Sequence, residues 1–149
     1  IQMRPEGGAA YGTLEWVAYA SNAFNAMVPF YADVDETPEY LANTTGEVST
    51  ENFYWTSRMI AAMADASYGK SLFHVEHYQE NVLAKSHALI NQYDALLADE
   101  KDPEKQMELK RKANRKVAEM VQKEASATLK KVLYELSNQM KNSYARSDV

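Results

Sequence analysis

The chain contains no cysteine. Within these residues there is therefore no disulfide framework, no Cys-ligated zinc and no thiol nucleophile. The absence is compatible with a reducing cytoplasm, which is the expected location. No apolar run approaches the ~20 residues of a membrane span, so no membrane contact is expected. The N-terminus lacks the basic region and apolar core of a signal peptide. The chain opens on Ile1 rather than Met, which reads as a cut-out or processed fragment. No internal repeat or low-complexity tract stands out.

Basic residues are scarce early on. Residues 101–149 hold 12 of the 16 Lys and Arg and 7 of the 21 Asp and Glu, so the first hundred residues carry 4 basic against 14 acidic side chains. The two parts should attract. Internal packing explains this better than an external polyanion, and the overall balance of −5 argues against a nucleic-acid partner. At 149 residues the chain is one domain by length, able to bury roughly two-thirds of its unfolded surface.

The order of elements points to an α+β piece: mostly helical, with a small antiparallel sheet near the N-terminus. Residues 1–4 read as the end of a strand, and Glu6–Gly12 as a flexible turn. Leu14–Ala20 reads as a second strand, with Leu14, Trp16, Ala18 and Ala20 on one face and Glu15, Val17 and Tyr19 on the other. Ser21–Asn25 is turn chemistry, Val28–Tyr31 is extended through Pro29, and Asp33–Glu36 is an acidic loop. Thr37 as N-cap with Pro38 at N1 predicts a short helix that stops at Asn43–Gly46. Three longer helices are predicted. The first runs from about Thr50 to Ala66, capped by Ser49 or Thr50, with Tyr68-Gly69 breaking it. The second covers about Ser71 to Ala98, with Leu72, Val75, Gln79, Val82, Ser86, Leu89, Tyr93 and Leu96 on its seam. The third opens on Asp102-Pro103 and continues to about Tyr144, its stripe holding Leu109, Ala113, Val117, Met120 or Val121, Leu129, Val132 or Leu133, Leu136 and Met140. The last two should form an antiparallel hairpin.

Candidate chemistry is sparse. His74 and His77 are three apart with Glu76 between them, but no HEXXH or Glu-x-x-His pattern accompanies them. His87 lies ~15 Å beyond His77 along the helix, too far to share an ion. Surface or interface histidines are the better reading, and no metal or cofactor is expected. Lys110-Arg111-Lys112 with Arg115-Lys116 is basic but lacks nearby aromatics for base stacking. A solvated face, or one paired with the acidic first half, fits better. Phe53-Tyr54-Trp55 could line a pocket, although aromatics at such spacing are more often core. Asn22 and Asn25, with Ser21, sit where a strand ends. There an amide can donate to an oxyanion or hold a substrate terminus; the plainer reading is an Asx turn.

Taken together, IQMRP, the run WVAYASNAFNAMVPFYADVDETPEY, STENFYWTSRMIAAMAD and YQENVLAKSHALINQYD resemble the C-terminal part of bacterial dipeptidases of the dipeptidase A family. These are cysteine dipeptidases of the N-terminal-nucleophile hydrolase superfamily. The likeness is strongest from Ile1 to about Tyr93. It implies strands of a four-layer αββα sandwich, with sheet strands and a cleft loop in residues 1–34 and a helical layer in 35–149. It also implies an N-terminal Cys nucleophile, absent from this chain, dipeptide substrates and pairing with the missing N-terminal portion. Asn22 and Asn25 are then expected at the substrate. The fragment alone is expected to be inactive and, with bare sheet edges, to form a homo-oligomer if unpaired. The competing expectation is a non-enzymatic helical interaction module, which leaves the aromatic strand pair unexplained.

Overall fold

A computed structural model describes residues 1–21 and 23–140. Three strands form one antiparallel sheet: β1 (Gln2–Met3), β2 (Thr13–Val17) and β3 (Val28–Tyr31), in the order β1-β2-β3. Helices α1 (Gly8–Tyr11) and α2 (Glu39–Ala42) are single turns. Helices α3 (Phe53–Ala66), α4 (Tyr68–Asp99) and α5 (Pro103–Asn138) make up the bulk. The α+β class, the N-terminal sheet and the long hairpin are as expected.

The β1–β2 connection is more ordered than a flexible turn. Pro5–Gly7 forms a 3-10 turn that leads straight into α1. Gly8 sits at φ 51, and a Cβ on Gly12 would lie 2.3 Å from the Gly8 carbonyl oxygen. Both positions therefore demand glycine. Strand β2 is shorter than expected. It ends at Val17 because its partner β3 begins there: Val17 faces Val28, Trp16 faces Pro29, Glu15 faces Phe30 and Leu14 faces Tyr31. Beyond Val17 no strand remains to hold Ala18–Ala20.

Helix starts differ by a residue or two from the sequence expectation. Pro38, not Thr37, is the N-cap of α2. Asn52 caps α3, accepting from Trp55 N–H at 2.8 Å, so Ser49 and Thr50 lie outside it. Tyr68 and Gly69 do not break the chain between helices. The break is the single residue Ser67, whose hydroxyl donates to Met63 O at 2.7 Å. Tyr68 and Gly69 form the first turn of α4, where no intrahelical N–H bond is yet required. Asp102 and Pro103 start α5 as predicted, with Asp102 Oδ1 accepting from Glu104 N–H at 3.1 Å. Helix α5 closes at Asn138, and the expected continuation from 141 to Tyr144 lies outside the described residues.

The seam of α4 is Ser71, Val75, Tyr78, Val82, Ser86, Ile90, Tyr93 and Leu97. Four expected members hold. Leu72, Gln79, Leu89 and Leu96 are each replaced by a neighbour, and Leu96 is 46% exposed. A two-helix seam was the premise, but α4 also packs on α3, α1 and β3, which turns its buried face. Tyr78 thereby enters the main core with Val28, Phe30, Phe53, Ile60, Val117 and Val121. A second core joins Leu14 and Tyr31 to Ile90, Tyr93, Leu97 and Ala113. The sheet thus stands edge-on to the hairpin, with one core on each face. On α5, Ala113 and Val117 are buried as predicted, and of the paired alternatives Val121 and Val132 are buried while Leu133 is exposed; Met140, past the end of the helix, is 75% exposed.

Candidate functional site

The segment between β2 and β3 carries both candidate asparagines. Asn22 lies outside the described residues. Ala20 has φ 59, a left-handed conformation that costs a non-glycine residue on the order of 1 kcal/mol. The following turn converges on one acceptor: Ser21 O takes Phe24 N–H at 3.1 Å and Asn25 Nδ2 at 3.2 Å. Gln79 of α4 reaches across and donates from Nε2 to Asn25 O at 3.1 Å and Ala23 O at 3.3 Å. Asn25 is 5% exposed, and its Oδ1 is buried with no partner among the described residues. An acceptor in that state costs ~1–3 kcal/mol unless something else donates to it. The bond that Nδ2 donates to Ser21 O, which is not the oxygen-accepting bond of an Asx turn, and the unpaired Oδ1 therefore coexist in one side chain.

An aromatic wall flanks the segment. Tyr19 packs edge-on against Phe53 at 5.4 Å and Tyr54 at 5.8 Å between ring centres. Phe53 is fully buried, as the core reading of this cluster expects. Tyr54 and Trp55 are half-buried, and the Arg58 guanidinium lies 4.8 Å over the Trp55 ring. Trp55 Nε1 donates to Thr45 O at 2.8 Å. Beside Tyr19 a hollow of about 200 Å³ is lined by Glu15, Val17, Phe30, Leu41 and Asn114. Ligand pockets usually measure about 300–1,000 Å³, so this hollow is too small to be one by itself.

The acidic loop and the basic run meet. Lys110 Nζ lies 2.7 Å from Asp33, Arg111 bonds Asp35 through two nitrogens at 2.7 and 2.6 Å, and Arg115 reaches Glu36 at 2.7 Å. The Arg111 hydrogen bonds hold the Asp35 carboxyl below its ordinary range. The basic run thus pairs with the acidic first half, and Lys110 itself is buried. A second group fastens β1 to α4. Arg4 bonds Asp94 at 2.5 and 3.0 Å and also donates to Tyr11 O. Tyr31 O–H donates to the same Asp94 at 2.7 Å. Burial, then the bond to Asp94, pushes the Tyr31 phenol well above its usual value.

Sequence reasoning missed Asn114. Its Oδ1 accepts from Tyr31 N–H at 2.8 Å and its Nδ2 donates to Tyr31 O at 3.1 Å, so one side chain closes the free edge of β3. The only available signal was a polar residue next to Ala113 on the apolar stripe. The histidines are dispersed. His74 bonds Glu135 at 3.1 Å, His77 stacks on Phe73 at 4.3 Å, and His87 lies 6.0 Å from the Trp16 ring. Among the described residues no three His, Asp or Glu side chains converge on a metal-sized space. Nor is any described helix long and apolar enough to cross a membrane.

The sequence profile of peptidase family C69 matches residues 1–81. The chain is 40% identical over 150 aligned residues to a "Probable dipeptidase A" of Streptococcus pyogenes serotype M18, covering 99% of this chain and 30% of that protein. A "Dipeptidase" of Bifidobacterium longum is 33% identical over 186 residues, covering 99% of this chain and 35% of the relative. A "Dipeptidase A" of Lactobacillus helveticus is 28% identical over 94 residues, 63% of this chain and 20% of the relative. The chain therefore spans about a third of the length of the Streptococcus pyogenes and Bifidobacterium longum relatives.

Proposed function

The chain belongs to peptidase family C69, and from that premise we propose that it is the C-terminal portion of a cysteine dipeptidase of the N-terminal-nucleophile type. The observation that carries this is 40% identity over 99% of the chain to a dipeptidase about three times as long. The helical interaction module accounts for α4 and α5 but not for a likeness that includes the sheet and the loop after β2.

In such an enzyme the N-terminal cysteine attacks the peptide carbonyl, and its own α-amino group takes the thiol proton. With no cysteine, this chain supplies no nucleophile. Its contribution is the late strands of an αββα sandwich, one wall of the cleft and the helical layer. Asn22 and Asn25 are the residues we place against substrate. The buried, unpaired Oδ1 of Asn25 supports an acceptor role toward a donor the dipeptide carries, such as its α-ammonium group. Gln79 fixes the backbone of the same turn. The intact protein acts on a broad range of dipeptides in the cytoplasm, and the partner of this chain is the remaining portion of its own polypeptide.

The test compares this 149-residue chain with the full polypeptide on a panel of dipeptides. The full protein should turn them over and the chain alone should not. Hydrolysis by the chain alone would sink the assignment.

A further inference from the structure

The sheet can grow in one direction only. Its edges are β1 and β3. In an antiparallel ladder every second residue of an edge strand turns its N–H and C=O outward. On β3 these are Pro29 and Tyr31, because Ala32 N–H bonds inward to Thr13 O at 3.1 Å. Pro29 has no N–H to offer. Both backbone groups of Tyr31 are taken by Asn114. That edge is closed.

On β1 the inward-bonding residues are Gln2, opposite Leu14, and Arg4, whose N–H reaches Gly12 O at 2.6 Å. Met3 lies between them and so turns its N–H and C=O away from β2. Ile1 and Met3 are 80% and 70% exposed beside this edge. Open edges are normally guarded by charge, proline or a bulge. Residues 1–3 carry neither charge nor proline.

We propose that the β1 edge is a strand-docking site whose occupant is a strand from the rest of the same polypeptide. This rests on the reading that the chain is one part of a longer dipeptidase. A second copy is the weaker occupant. A two-residue strand offers it only a few hydrogen bonds, too few to offset the freedom lost on association. A strand tethered in the same polypeptide meets the edge at high effective concentration. The matched relatives, about three times as long, have the sequence to supply one.

Amide hydrogen exchange at Met3 in the full polypeptide reads the edge directly. Protection of about a hundredfold or more over an unstructured peptide is expected. Exchange at the unstructured rate overturns the proposal, and protection that disappears on dilution, as a dimer's would, overturns the occupant. Met3→Pro deletes the outward N–H and neither inward bond. It should lower the thermal midpoint of the full polypeptide by about 1–2 °C, while Met3→Val should not. Equal midpoints for all three proteins overturn the proposal. A protected Met3 in a protein that hydrolyses no dipeptide supports the edge and sinks the dipeptidase reading. Dipeptide turnover with an unprotected Met3 does the reverse.

Discussion

Near its connecting loop the α4/α5 hairpin grips the sheet through polar side chains: Asp94 holds Arg4 and Tyr31, Asn114 holds the β3 edge, and Lys110 reaches Asp33. Toward its open end the same hairpin packs mainly through Ala64, Val75 and Val132, with Phe73, Leu133 and Tyr134 left exposed. The difference is one of direction. Hydrogen bonds to a strand edge fix its height and orientation, because a shift of an ångström breaks them. Apolar packing tolerates a shift as long as volume is conserved. The loop end is therefore where the sheet is set in place, while the turn between β2 and β3 is held further along the hairpin, by Gln79 and by the packing of Phe24 on the open-end cluster.

If that contrast is right, the largest loss should come from Asp94→Ala. It leaves the Arg4 guanidinium only Tyr11 O and the Tyr31 hydroxyl only the longer contact to Ile90 O at 3.3 Å, with side chains only 13% and 18% exposed at the Arg4–Asp94 pair. Removing one partner of such a pair costs about 3 kcal/mol or more, read as a drop in denaturant midpoint. Asn114→Ala should cost about 2 kcal/mol by freeing both Tyr31 backbone groups. Asn114→Asp sharpens the point. It keeps the acceptor for Tyr31 N–H but sets a carboxylate against Tyr31 O, so it should be no better than Ala. At the open end, Leu133→Ser removes a half-exposed side chain and should change stability by less than about 0.5 kcal/mol. A comparable loss at Leu133 and Asn114 would dissolve the contrast.

pH separates the regions further. Burial raises the phenols of Tyr31, Tyr78 and Tyr40 above their ordinary values. A raised folded value means the unfolded chain ionises first. Their contribution is complete below about pH 10 and is lost as pH climbs from there through the higher folded values. Tyr31→Phe should blunt part of that alkaline loss in a thermal-midpoint series. Asp35 is lowered, so its pairing with Arg111 contributes above about pH 4 and fades as pH falls through the folded value. The pair is exposed, so added salt should weaken it.

For the candidate site, Asn25→Ala in the full polypeptide divides two roles. Loss of an acceptor for the substrate's α-ammonium group would raise KM and lower kcat/KM by about tenfold or more. Loss of the Ser21 contact alone would lower stability by about 1 kcal/mol, read as a lower thermal midpoint, and spare kcat/KM.

Much of this was legible beforehand. Period-two alternation placed β2, Pro29 marked Val28–Tyr31 as extended though not as an edge strand, and Asp102-Pro103 placed the start of α5 to the residue. The opposite charges of the two halves anticipated the Asp33, Asp35 and Glu36 pairs. What stayed hidden depends on tertiary neighbours. Which of Leu96 and Leu97 is buried depends on β3 and α1 as well as on α5. Asn114 reads as a surface residue until a strand edge is brought to it. In the turn at Asn25 the position was readable, but its hydrogen bonds and the free Oδ1 were not, because they depend on how Ser21 and Gln79 close around it.

The most direct measurement is dipeptide turnover by the full polypeptide before and after the mature N-terminal cysteine that the proposed function requires is changed to alanine. The account predicts loss of essentially all turnover with the thermal midpoint preserved. Undiminished turnover in the alanine variant would contradict it.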